Sequence, residues 1–360
     1  MAGIIEFTGT VLIGPDRERH GLWSVDGRLT FNRPPAPPDA VLDGWVLPGL
    51  VDAHCHIGLG PGGAVDDHTA HAQAMTDRDA GTLLVRDAGA ASDTRWLQRS
   101  PDAPRIIRAG RHIARSRRYL RGLAVEVDPD GLVEAVRKQA LAGDGWVKLV
   151  GDWIDRDSGD LAPSFPAAVV RDAIRAAHDE GARVTAHCFA EDTLDDMLDA
   201  GIDCIEHGTG LLPRHLPRFV EQRVPIVPTL INIATFPEIA DRAQGKFPRY
   251  AAHMRALWER RNERILEAFE AGVQIFAGTD AGSVISHGRI VDEVHALNAA
   301  GLPATAALDA ATWAARDWLG ADGIAEGASA DVVLCEQDPR TDPATLRGLR
   351  HIVLRGRQVR

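Results

Sequence analysis

The stretch Leu47-Pro48-Gly49-Leu50-Val51-Asp52-Ala53-His54-Cys55-His56 decides how this chain is read. The apolar run Val46–Val51 predicts a buried strand with two histidines at its carboxyl end. Side chains two apart on an extended strand share a face, so His54 and His56 can reach one metal ion while Cys55 points the other way. A His-x-His pair alone is a weak signal. The ends of the other apolar runs give it weight.

Downstream of this strand the chain alternates apolar runs with amphipathic helical patterns across 46–318. Further runs are Thr82–Arg86, Arg105–Ala109, Trp146–Val150, Arg183–Ala186, Cys204–Glu206, Val224–Pro228 and Val273–Ala277. Helical patterns such as Leu132–Ala142, Pro166–Glu180, Thr193–Ala200 and Tyr250–Ala271 follow them, with Pro166 and Gly181 as start and stop signals. The number and spacing of these units predict an α/β protein built on a (β/α)8 TIM barrel. A doubly wound open sheet fits less well, because no glycine-rich phosphate loop follows the first strand.

Both ends of the chain are β-rich. Ile4–Phe7, Thr10–Ile13, Leu22–Val25 and Arg28–Phe31 read as short strands, as do Asp331–Cys335 and His351–Leu354. Residues 1–45 plus 319–360 are therefore expected to form one small β domain beside a barrel spanning 46–318.

Active sites of such barrels lie at the carboxyl ends of the strands. Read in order, those ends supply His54 and His56, then Lys148, His187, His207 and, in Gly278-Thr279-Asp280-Ala281, Asp280. Imidazole and carboxylate together suit zinc and its neighbours among divalent ions. Alternation turns Glu206 away from the mouth and gives it a structural role. Cys55, Cys188, Cys204 and Cys335 form no C-x-x-C pair and read as reduced core residues.

These motifs resemble the amidohydrolase superfamily, and the resemblance runs over essentially the whole chain. It is carried by Val184–His187, Ile205–Gly208, Val227-Pro228-Thr229-Leu230, Gly278–Ala281 and Gly327–Val332, which are most similar to the prolidase, Xaa-dipeptidase and imidazolonepropionase-like branch. The resemblance implies that the domain of residues 1–45 plus 319–360 is a β-sandwich, and it implies two divalent metal ions, with zinc as the default. His54, His56 and Asp280 would hold the buried ion and His187 and His207 the exposed one, bridged by N6-carboxylated Lys148. Asp280 would carry the proton in hydrolysis of a C–N bond (amide, peptide or cyclic amide). A mononuclear deaminase, a lactone or ester hydrolase, and a catalytically silent binding scaffold are the alternatives.

The substrate loops depart from that branch. Ser116-Arg117-Arg118-Tyr119 stands where relatives often carry Thr-Gly-Gly-His, and Ile231-Asn232-Ile233 where a tyrosine often follows the seventh strand. His112, Tyr119 and His287 are the candidate substrate contacts. The basic run Arg115–Arg121 is read either as a grip on a substrate carboxylate or as a solvated loop.

The net charge of −11 argues against nucleic acid or an anionic membrane as partner. A small-molecule substrate is expected, with self-association into a homo-oligomer left open. No early stretch resembles a secretory leader and no apolar run is long enough to span a bilayer, so a cytoplasmic location is expected.

Overall fold

The computed structural model describes residues 3–360. Its central feature is a run of parallel strands: β1 (Leu50–Cys55), β2 (Thr82–Asp87), β3 (Arg105–Arg108), β4 (Trp146–Val150), β5 (Arg183–Cys188), β6 (Cys204–His207) and β7 (Ile226–Val227). β1, β2 and β3 pair in parallel, as do β4 to β7. Asp144 N–H donates to the Arg108 carbonyl at 2.8 Å and links the two sets. On the other side, Ile226 bridges Ile275 in parallel, and Ala53 N–H donates to the Ala277 carbonyl at 2.9 Å, returning the run to β1. Mixed α/β content with this parallel connectivity is consistent with the expected barrel.

The strands are buried on both faces, so they read as near-continuous apolar runs rather than alternating ones. Helices cover them where the amphipathic patterns predict. Leu132–Ala142 buries Leu132, Ala135, Val136 and Ala140, and Ala167–Asp179 starts after Pro166 and stops before Gly181, whose φ of +75° a side chain would resist.

The terminal segments form two further sheets. One orders Arg28–Thr30, Leu22–Val25, Ile4–Thr8 and Ala40–Asp43; the other orders Arg357–Gln358, His351–Leu354, Val332–Cys335, Trp45–Pro48, Val11–Gly14 and Arg17–Arg19. Phe7, Leu22 and Leu42 from the first meet Val46, Val332 and Val353 from the second in one core.

The apolar run at 46–52 is therefore not one strand. It breaks at Gly49: Trp45–Pro48 pairs antiparallel with Val332–Cys335 in the terminal sheet, and only Leu50–Cys55 enters the parallel set. The expected boundary at 45/46 falls inside a strand of the small sheet. Continuous hydrophobicity hid the break, because both halves are buried.

No helix among the described residues is long and apolar enough to cross a membrane.

Candidate metal centre

His54 lies in β1 and His56 directly follows it, with groups behind both rings. His56 Nδ1 donates to the Gly89 carbonyl at 2.6 Å, and His54 Nδ1 lies 3.2 Å from a Glu206 carboxylate oxygen. Asp52, two residues before His54, binds the 278–281 segment to the same strand. Its carboxylate accepts from His54 N–H, Thr279 N–H and the Thr279 hydroxyl at 3.1, 3.0 and 2.6 Å, while burial pushes its carboxyl up to about 7. Gly278 must lack a side chain there, since a Cβ would lie 2.8 Å from the His54 backbone nitrogen.

That segment delivers Asp280. One of its carboxylate oxygens lies 3.0 Å from His54 Nε2 and 3.0 Å from His56 Nε2, and the two imidazole nitrogens are 3.2 Å apart. Asn232 Nδ2 donates to the other oxygen at 2.6 Å. His207 joins from β6; it forms a group with His54 and Asp280 whose ligand atoms all lie within 4.8 Å of one another. Its Nδ1 is 2.7 Å from the Thr229 hydroxyl. The His187 ring sits 4.7 Å from that of His207, and its buried Nε2 has no hydrogen-bond partner.

His54 Nε2 and His56 Nε2 both turn toward the same Asp280 oxygen. Burial, and then the charge of Lys148, hold His54 and His187 well below the usual imidazole value; burial and His187 do the same for His207. Burial works to raise Asp280, but His54 and the two imidazole contacts outweigh it and hold the carboxyl well below its usual range. Two imidazole nitrogens and a carboxylate oxygen thus converge on one point. A divalent cation is what such a donor set accepts, and about 3.3 Å between donors is what tetrahedral bonds of about 2.0–2.1 Å require. The residues present fit a metal.

Lys148 lies beneath, fully buried. Its ammonium pairs with Glu206, and burial lowers its pKa to about 7. Glu206 also meets Arg86 at 3.3 Å and the Thr185 hydroxyl at 2.8 Å. This corrects the expectation that Glu206 turns away from the mouth. Alternation in β6 runs through Cys204 and Glu206, and His207 reaches the site by leaving it, in a left-handed conformation at φ +66°. Arg86, fully buried with Nε donating to the Ala53 carbonyl at 2.7 Å, was also missed; a single arginine in an apolar run gives no signal. Asp52 was missed too, although alternation puts it on the face of His54.

Of the candidate substrate contacts, two lie beside the cluster. The buried His112 ring is 5.9 Å from His56 and 5.3 Å from Tyr119, and Tyr119 stacks edge-on against Trp153 at 4.7 Å. His287 does not join them. Its Nδ1 is 2.8 Å from Asp77, on the helix Asp67–Asp79, in a group with Cys55 on the side of β1 that faces away from the histidines. All four cysteines are buried and unpaired. In the basic run, Arg118 donates to the carbonyls of Trp153, Ala162 and Pro163, and Arg115 to that of Ser164, so both guanidinium groups serve the neighbouring hairpin.

An uncharacterized protein of Mycobacterium tuberculosis is 55% identical over 345 residues, covering 95% of this chain and 93% of its own. Among solved structures, a Xaa-Pro dipeptidase with bound methionine superposes with TM-score 0.82 at 22% identity, covering 99% of each chain. A structure described as a putative prolidase from Bifidobacterium longum superposes with TM-score 0.83 at 22% identity, covering 99% of this chain and 95% of its own. At such identities these likenesses speak for the fold. The model of the amidohydrolase family matches residues 45–359, and the chain belongs to that family.

Proposed function

We propose that this protein hydrolyses a C–N bond of a small amide, peptide or cyclic amide with the help of two divalent cations, zinc by default. His54, His56 and Asp280 would hold the inner ion, His187 and His207 the outer one, and carboxylated Lys148 would bridge them. Bound there, the cations would supply Lewis acidity, lowering the pKa of water and polarising a carbonyl. The observation that carries the reading is the convergence of His54 Nε2, His56 Nε2 and one Asp280 carboxylate oxygen at 3.0–3.2 Å.

Asp280 is the proton carrier in this proposal. It is ionised, hence a base, and Asn232 holds one oxygen so that the carboxylate keeps a fixed orientation. It would take the proton of the attacking water and pass it to the leaving nitrogen. Lys148 at about 7 spends much of its time as a free amine near neutral pH, the form that reacts with carbon dioxide to give a carbamate. Tyr119, Trp153 and His112 flank the cluster and would face the substrate.

Elemental analysis of protein purified with zinc and bicarbonate tests this reading. About two divalent ions per chain are expected. One ion would move the reading to the mononuclear branch, and none after supplementation would leave a binding scaffold.

A further inference from the structure

At the amino ends of the strands, opposite the histidines, lies a second cleft of about 360 Å3. Arg105 opens β3, Trp146 opens β4 and Arg183 opens β5, and all three line it, with Arg355 at the edge. Its charge is unbalanced. Among the described residues, Arg105 makes no side-chain hydrogen bond and has no carboxylate within 4 Å. Arg183 spends one nitrogen on the Trp318 carbonyl at 3.0 Å, and Arg355 spends one on the Pro101 and Ala103 carbonyls at 2.9 and 3.0 Å; neither has an acidic partner. Asp144 is the acid in the lining, and Arg108 and Gln98 already hold it at 2.8 and 2.6 Å.

Three guanidinium groups, none with a carboxylate within 4 Å among the described residues, gather here in a chain of net charge −11. Arg183 lies 4.2 Å from the centre of the Trp146 ring, and Arg86 lies 4.8 Å from it. Stacking on indole holds the Arg183 guanidinium at low entropic cost. Capping backbone carbonyls explains Arg355 and part of Arg183, but not Arg105.

We propose that this cleft binds a small oxyanion, a carboxylate or phosphate group, between Arg105 and Arg183. Both anions present the paired oxygens that guanidinium groups grip with two parallel hydrogen bonds. The cleft lies away from the metal centre, and the proposal does not depend on the hydrolase reading.

The test titrates the purified full-length protein with inorganic phosphate and, separately, with succinate, at constant ionic strength. Calorimetry and tryptophan fluorescence follow binding, and sodium chloride is the control. Saturable binding of at least one anion is expected, weakened at least about tenfold in Arg105→Ala and in Arg183→Gln. Phosphate alone would identify a phosphorylated ligand, and succinate alone a carboxylate. The Arg105 side chain is exposed, so Arg105→Ala keeps the test decisive should Arg183→Gln misfold. No saturation with either anion, an equal response to chloride, or unchanged affinity in Arg105→Ala would overturn the proposal.

Discussion

Asp280 holds a left-handed backbone at φ +57°, a conformation that non-glycine residues adopt at a cost. The same turn sends Thr279 and Asp280 N–H groups to the His54 carbonyl, so the strain is held in place by the strand that carries the histidines. Asparagine tolerates this conformation at least as well, and its amide can still accept from Asn232 and donate to an imidazole. Asp280→Asn should therefore melt within a degree or two of the parent while losing on the order of 10³-fold in turnover. A variant that keeps full activity would remove Asp280 as proton carrier. At Lys148 the sign is equally defined. Burial disfavours the ammonium, so the free amine grows as pH rises through about 7. At fixed dissolved carbon dioxide, activation of metal-free enzyme by zinc should be slow below about pH 6 and reach a plateau above about pH 8, with Lys148→Ala unresponsive throughout. A flat profile would separate activation from this amine. The candidate histidines and Asp280 were legible because they stand at the ends of apolar runs, and alternation pairs His54 with His56. Glu206 was not, because His207 breaks alternation through a backbone angle that no residue type announces.

Elements meet through contacts that leave a fainter trace. The run Arg115–Arg121 offered a grip on substrate or a solvated loop, and neither describes Arg118, which staples the strands Asp152–Asp155 and Asp160–Pro163 through their carbonyls. Backbone acceptors are present at every residue, so sequence pattern cannot point to them. His253, on the helix Pro248–Glu270, does similar work between that hairpin and the helix Glu191–Ala200. It meets Asp160 and Glu191 at 2.9 Å each. The bond to Glu191, then that to Asp160, raise its pKa from 6.5 to about 9 against an opposing effect of burial. A raised value means that the folded state favours the protonated ring. The stabilisation is complete below pH 6.5 and is lost as pH rises through 9. His253→Gln should thus be less stable than the parent by about 2 kcal/mol at pH 6 and nearly equal to it at pH 10. Urea unfolding at both pH values measures the difference, and a gap that does not close would exclude protonation as its source.

At the scale of the whole molecule, Gly49 is the joint between the terminal sheets and the parallel set. Trp45–Pro48 belongs to one and Leu50–Cys55 to the other, with a single residue between them. Gly49 N–H donates to the Asp331 carbonyl at 2.9 Å, and its carbonyl accepts from Arg316 Nε and Nη2 at 3.0 and 2.7 Å. The joint is therefore fixed from the carboxyl-terminal part of the chain as well. A Cβ at this position would lie 2.5 Å from Leu83 Cγ and Cδ1, and Leu83 is buried in the core. Neither party can yield cheaply: the backbone is bonded on both sides, and Leu83 is packed all round. Gly49→Ala should cost about 1–3 kcal/mol by overpacking, or about 2–6 °C in Tm for a chain of this size. Because the residue anchors both sheets, the loss should fall on one cooperative transition in calorimetry. Two separate transitions, with the shift confined to one, would mean that the terminal sheets unfold independently of the strands that carry the histidines; an unchanged Tm would mean that Leu83 has room the packing does not reveal.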